Sequence, residues 1–170
     1  MKIAVTGRPG IGKTTLCLRV YEMLKDAKSV SGFITREVRE GGRRGEGGKR
    51  VGFKLVNLED GSEAWLAKVG EGRIKVGKYV VDVEALEDFL PRVNLNSDLL
   101  IIDEVGPMEL KSKKFVEFVK RAMEKDNILV TVHYRSKHWL VEKIKREFKV
   151  FVLDENNRDL LASKIAEEFG

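Results

Sequence analysis

Eight residues near the N-terminus constrain this chain more than any other stretch. Gly7-Arg8-Pro9-Gly10-Ile11-Gly12-Lys13-Thr14 fits G-x-x-x-x-G-K-[ST] without a mismatch. "KIAVT" (2–6) runs in as a short buried strand, and Leu16, Val20, Leu24 and Ala27 recur at helical spacing across Thr14 to Lys28. A strand, a glycine loop and a helix in this order make an anion-binding turn. The glycines let backbone N–H groups face inward, and the helix N-terminus adds partial positive charge. On this reading Lys13 bridges the β- and γ-phosphates of a nucleotide, the Thr14 hydroxyl coordinates Mg²⁺ and Thr15 neighbours the α-phosphate. An ordinary glycine-rich turn is the alternative, and eight residues in register between the right elements weigh against it.

The rest of the chain supplies the matching fold. "SGFITREV" and "KRVGFKLVNL" are β-rich runs separated by the glycine-rich "EGGRRGEGG", which predicts a hairpin with a long tip. "SEAWLA" and "RIKVGKYVV" extend that antiparallel patch, and Asp82 caps a helix that Pro91 stops after Leu90. Strand 98–103, helix 113–125, strand 127–133, helix 137–148, strand 149–153 and a last helix carrying Leu161, Ile165 and Phe169 follow. Short apolar strands alternating with amphipathic helices predict one α/β domain over residues 1–170. Its sheet is mostly parallel, flanked by helices on both faces, with the antiparallel hairpin inserted.

"LIIDEVGPMEL" places Asp103 and Glu104 back to back where an apolar run stops. Ligands of open α/β sheets bind beyond the C-terminal ends of the strands, so both acids reach the edge that carries the glycine loop. Asp103 fits the second anchor of a Mg²⁺ ion, and Glu104 fits the base that deprotonates an attacking water. Gly106 leaves room beside the γ-phosphate. A solvated strand end is the plainer reading of Glu104.

The phosphate loop, "GFITREVRE" with the following "RVGFKL", "DEVGPMEL" and the late "NNRDLL" together resemble the cancer-related nucleoside-triphosphatase family. The resemblance spans nearly the whole chain. It implies Mg²⁺-dependent hydrolysis of several nucleoside triphosphates with little preference among bases, at a site formed by Gly7 to Thr14 and Asp103 to Gly106.

Composition bounds the remaining classes. Lys and Arg number 32 against 27 Asp and Glu, a net charge of +5 that is dispersed except near residues 39–50, so a nucleic-acid footprint is not compelling. The lone Cys17 excludes an internal disulfide, and no run approaches the ~18 apolar residues of a membrane span; a cytoplasmic protein is expected. The 35% of charged residues leans towards a thermophile. Among arginines able to meet γ-phosphate charge, Arg36 is the first choice because its strand returns beside the site. Arg8 lies inside the loop, and Arg39, Arg43 and Arg44 sit on or near the tip, which can act as a lid. His133 can face the γ-phosphate or be structural, and Asn157 and Arg158 can touch base or ribose, although Asn157 also reads as an N-cap. His138 reads as a cap or surface residue, and Trp65 and Trp139 as packing residues. The rivals to a hydrolase are a small nucleotide or nucleoside kinase and a nucleic-acid-associated ATPase. Oligomeric state is not set by these features.

Overall fold

The computed structural model describes residues 1–42 and 47–170. β1 (Lys2–Thr6) enters the glycine loop and α1 (Lys13–Leu24) leaves it, with single turns carrying the chain on to Lys28. β2 (Val30–Glu40) and β3 (Lys49–Asn57) form the long hairpin. Arg43 and Arg44, and with them the proposed lid tip, lie outside the described residues. β4 (Glu63–Val69), β5 (Lys75–Val76) and β6 (Tyr79–Val81) complete an antiparallel extension. α2 (Val83–Phe89) begins at Asp82, whose carboxylate accepts from the Ala85 N–H at 3.0 Å, and ends in a 3₁₀ turn containing Pro91.

The second half alternates as its periodicity requires: β7 (Leu99–Val105), α3 (Lys113–Ala122), β8 (Ile128–Val132), α4 (Trp139–Glu147), β9 (Lys149–Val152) and α5 (Arg158–Phe169). One nine-stranded sheet runs β5-β6-β4-β3-β2-β7-β8-β1-β9; β2, β7, β8, β1 and β9 are parallel and the extension is antiparallel. The α/β expectation holds, and no helix among the described residues is long and apolar enough to cross a membrane.

Both faces of the parallel part are covered, which is why its strands read as unbroken apolar runs. Leu100 and Ile102 pack with Phe33, Phe89 and Phe115 under α2, α3 and α4. Leu99 and Ile101 pack with Ile3, Val5, Val20 and Ile165 under α1 and α5. β7 runs two residues past the expected end at Asp103, so Asp103 continues the α1-facing side from inside a strand. Trp139 departs from the packing expectation: it stands 53% exposed at the start of α4. His138 caps that helix, its Nδ1 accepting from the Leu140 N–H at 3.1 Å.

Candidate active site

Backbone geometry builds the loop. Gly12, the residue before α1, has φ of 116°, a left-handed value that a side chain would strain, and its carbonyl starts the helix by accepting from the Leu16 N–H at 2.9 Å. Ile11 is buried and anchors the loop in the core between α1 and α5, so it offers an anion only its backbone. Pro9 has no N–H to offer. Gly10 and Thr15 are exposed at the mouth. Lys13 arches back over the loop: its Nζ donates to the Gly7 carbonyl at 2.8 Å and the Arg8 carbonyl at 3.3 Å. Arg8 is held outside by Glu155, which belongs to the connection between β9 and α5.

The two acids occupy different environments. Asp103 is 2% exposed and sits in a cradle of donors. Thr14 Oγ1 donates to its Oδ2 at 2.7 Å, Thr131 Oγ1 to its Oδ1 at 2.7 Å and the Thr35 N–H to its Oδ2 at 3.2 Å. The Thr35 hydroxyl donates to the Asp103 carbonyl at 2.6 Å. Burial pushes the Asp103 carboxyl up, while these donors and the Lys13 charge oppose that rise. A hydroxyl and a carboxylate oxygen 2.7 Å apart at a helix N-terminus are hard oxygen donors of the kind that Mg²⁺ takes. No group of three or more His, Cys, Asp or Glu able to cage a metal occurs among the described residues.

Glu104 faces the other way. A quarter of its side chain is exposed, and its Oε2 lies 3.9 Å from Lys13 Nζ. Its carboxylate folds over Gly106, where a Cβ would stand 2.7 Å from Oε1. The room Gly106 provides is thus taken by Glu104. Burial pushes Glu104 up, Lys13 pulls it down and Asp103 adds to the rise. His133 closes this edge: its N–H donates to the Val105 carbonyl at 3.3 Å, and burial, then Lys13, Arg135 and Lys145, hold its imidazole below the usual range. A neutral imidazole is therefore favoured at neutral pH.

Three residues of the site escaped the sequence reading. Thr131 and Thr35 lie on β8 and β2, and only the strand order brings them against Asp103. Glu109 is the third: it sits in the 3₁₀ turn 109–111 and is 3% exposed, and burial followed by the Glu104 charge pushes it well above the carboxylate range. A folded state that keeps a proton the unfolded chain releases loses stability as pH rises. The Glu109 contribution is fully present below the unfolded value of ~4.3 and is lost as pH rises through the folded one. We expect Glu109→Gln to flatten the decline in unfolding free energy between acid and mildly alkaline pH, as measured by denaturant titration of the free protein. An unchanged slope would show that Glu109 is ionised in the fold.

Arg36 lies on β2. It is half exposed and bonded to Glu63 on β4 at 2.7 Å, so β2 returns beside the site while the Arg36 guanidinium is engaged on the antiparallel extension. Asn157 precedes α5 as expected but makes no side-chain cap. Its Oδ1 accepts from the Asp154 N–H at 2.9 Å and its Nδ2 donates to the Val152 carbonyl at 2.8 Å. Arg158 is exposed at the first turn.

A family model described as NTPase matches residues 2–166. The nucleoside-triphosphatase THEP1 of Archaeoglobus fulgidus is 59% identical, covering 97% of this chain and 96% of that one. The protein of the same name from Methanocaldococcus jannaschii is 43% identical over 97% and 95%. Among solved structures, THEP1 from the hyperthermophile Aquifex aeolicus superposes with a TM-score of 0.84 at 33% identity, covering 99% of both chains. A human cancer-related nucleoside triphosphatase superposes with a TM-score of 0.79 at 34% identity, over 98% of this chain and 95% of that one.

Proposed function

The chain belongs to the NTPase family, and from that premise we propose that it hydrolyses nucleoside triphosphates to diphosphate and phosphate with Mg²⁺ and little preference among bases. The observation that carries the mechanistic part is the split between the two acids. Asp103 is buried against Thr14, while Glu104 stands partly exposed opposite Lys13. Backbone N–H groups of the loop and Lys13 hold the β- and γ-phosphates, and the Thr14 hydroxyl with Asp103 holds the metal site. Bound Mg²⁺ would offset charge on the β- and γ-phosphate oxygens. Glu104 takes a proton from the attacking water as its oxygen bonds to the γ-phosphorus and the bond to the β-phosphate bridging oxygen breaks.

Weak base preference is supported by the connection between β9 and α5. Both ends of the Asn157 side chain bond inside that loop, Oδ1 to the Asp154 N–H and Nδ2 to the Val152 carbonyl, which ties the amide to its own backbone. The buried Cys17 suits a reducing cytoplasm. Phosphate release from ATP, GTP, CTP and UTP, each with Mg²⁺ or with EDTA, tests the reading. We expect kcat/KM values within about tenfold of one another and no turnover in EDTA. Phosphate transfer that needs an added nucleoside monophosphate, or turnover in EDTA, would overturn it. Given its pairing with Glu63, Arg36→Ala is expected to change kcat by less than about threefold in the same assay. A loss of a hundredfold would mean that Arg36 leaves Glu63 for the substrate.

A further inference from the structure

The antiparallel extension is covered on one side only. Phe53, Leu55, Leu66 and Tyr79 pack on its inner face against Leu86 and Phe89 of α2. On the outer face Ile34 and Val56 pack under α1, and beyond them Trp65 and Val80 join neither core. Residues paired across a ladder share a face, so the register gives this surface its rows. Arg36, Lys54 and Trp65 form one row across β2, β3 and β4, and Gly52, Lys68, Val80 and Lys75 form the next across β3, β4, β6 and β5. A bulge completes the pattern. The register shifts between Phe53 and Lys54, so Leu66 and Ala67 are both buried on the α2 side while Trp65 and Lys68 share the outer face.

Trp65 is half-buried at the centre of these rows. Gly52 makes room for its ring against β3, where a Cβ would stand 2.9 Å from the indole. Lys54 Nζ lies 4.7 Å and Lys68 Nζ 4.1 Å from the ring centroid. A hollow of about 450 Å³ opens beside the ring, lined by Trp65, Lys68 and Val80 and walled by residues 69–71 and 81–83. Its two acids are engaged: Glu71 pairs with Lys75 at 3.6 Å, and Asp82 caps α2. Arg36 and Lys54 share Glu63, at 2.7 and 3.5 Å, while Lys68 has no acid partner among the described residues. Four cations on the two rows thus share two carboxylates, which leaves the face positive. Charge that is dispersed along the chain is gathered here by strand pairing.

We propose that this face binds single-stranded nucleic acid: a base stacks on Trp65 over the hollow, and Arg36, Lys54, Lys68 and Lys75 meet the flanking phosphates. Lysine stems are flexible, so the two ammonium groups over the ring can pass to phosphates and clear it for a base. The chemistry selects this partner. A duplex keeps the faces of its bases stacked, so the indole gains nothing from it, and an acidic peptide would satisfy the lysines but not the ring. The surface begins one residue beyond Thr35, whose N–H reaches Asp103, so along β2 it adjoins the proposed metal site. The proposal does not depend on hydrolysis at that site.

Fluorescence anisotropy of labelled oligo(U) and oligo(dT), each of about 12 nucleotides, titrated with the full chain tests it. We expect saturable binding of at least one strand at about 50 mM KCl, with log Kd rising against log salt at a slope of about 2 to 3 for three or four neutralised phosphates. Trp65→Ala should weaken binding at least about fivefold, and Trp65→Phe, which keeps a ring, by less. Lys68→Glu should lower the salt slope by about one and leave basal phosphate release unchanged, and it carries the test if Trp65→Ala does not fold. In a Trp139→Phe chain Trp65 is the remaining tryptophan, and its emission should be quenched as the strand binds. No saturable binding at low salt, unquenched emission at saturation, or binding unchanged in both Trp65→Ala and Lys68→Glu would overturn the proposal. Equal affinity for a duplex of the same length or for polyglutamate would overturn it too.

Discussion

Glu104→Gln should leave nucleotide affinity and the Mg²⁺ requirement intact while lowering kcat by about 10²- to 10⁴-fold, the range attributed to a positioned general base. Glutamine matches glutamate in shape, so the close packing over Gly106 survives, and the phosphate loop is untouched. What disappears is the ability to accept a proton from water. The effect on stability should run the other way. Glu104 is buried enough to be pushed up, and its charge also pushes Glu109 and, through the same cluster, Cys17. Removing that charge relieves its repulsion with Asp103 and its burial cost, at the expense of one contact with Lys13. A melting temperature equal to or above that of the parent, together with a near-complete loss of phosphate release, is the expected pair of results. It is the pattern of a site that holds like charges together for chemistry at the expense of the fold. Turnover within about twofold of the parent would leave Glu104 as a solvated strand end.

The local parts of this site were legible in the sequence because they depend on neighbours in the chain. The glycine loop is contiguous, and the left-handed φ at Gly12 and the capping carboxylate of Asp82 are short-range requirements with residue-type signatures. The parallel strands announced themselves as apolar runs because both their faces are buried. The end of β7 was read two residues early, because a pair of acids resembles a strand terminus; Val105, apolar and fully buried, is the residue that keeps the strand going. The partners of Asp103 were not legible. Thr35 and Thr131 lie 68 and 28 residues from it, and a threonine inside a strand looks like an ordinary β-former until strand order is known. Glu109 was hidden by its setting between Met108 and Leu110, where one acid in a turn reads as surface. Arg36 is a different case. Its strand was placed correctly, but the direction of a long side chain depends on Glu63, which arrives from another strand of the extension.

Asp103→Asn carries the second large effect, and it separates metal binding from nucleotide binding. Three donors converge on Asp103: the hydroxyls of Thr14 and Thr131 and the N–H of Thr35. A carboxylate suits them because it only accepts. An asparagine in the same pose must turn an NH₂ towards at least one donor, since its two ends differ and both carboxylate oxygens are engaged. The cradle is buried, so the mismatch cannot be relieved by water, and a drop in melting temperature is expected. The electrostatic loss is larger in function than in stability, because an amide neither attracts a divalent cation nor orients its water as a carboxylate does. Apparent Mg²⁺ affinity, read from the Mg²⁺ dependence of fluorescent-nucleotide binding, should weaken about 10- to 100-fold. Metal-free nucleotide binding, which depends on the loop and Lys13, should change by less than about threefold. Thr131→Val provides the graded comparison: it deletes one donor while leaving the acid, and should shift Mg²⁺ dependence in the same direction by a smaller factor. Should Asp103→Asn bind Mg²⁺ and nucleotide as the parent does, the buried acid would be a structural link between β7, β8 and α1, and the metal would have to be held by Thr14 and phosphate alone.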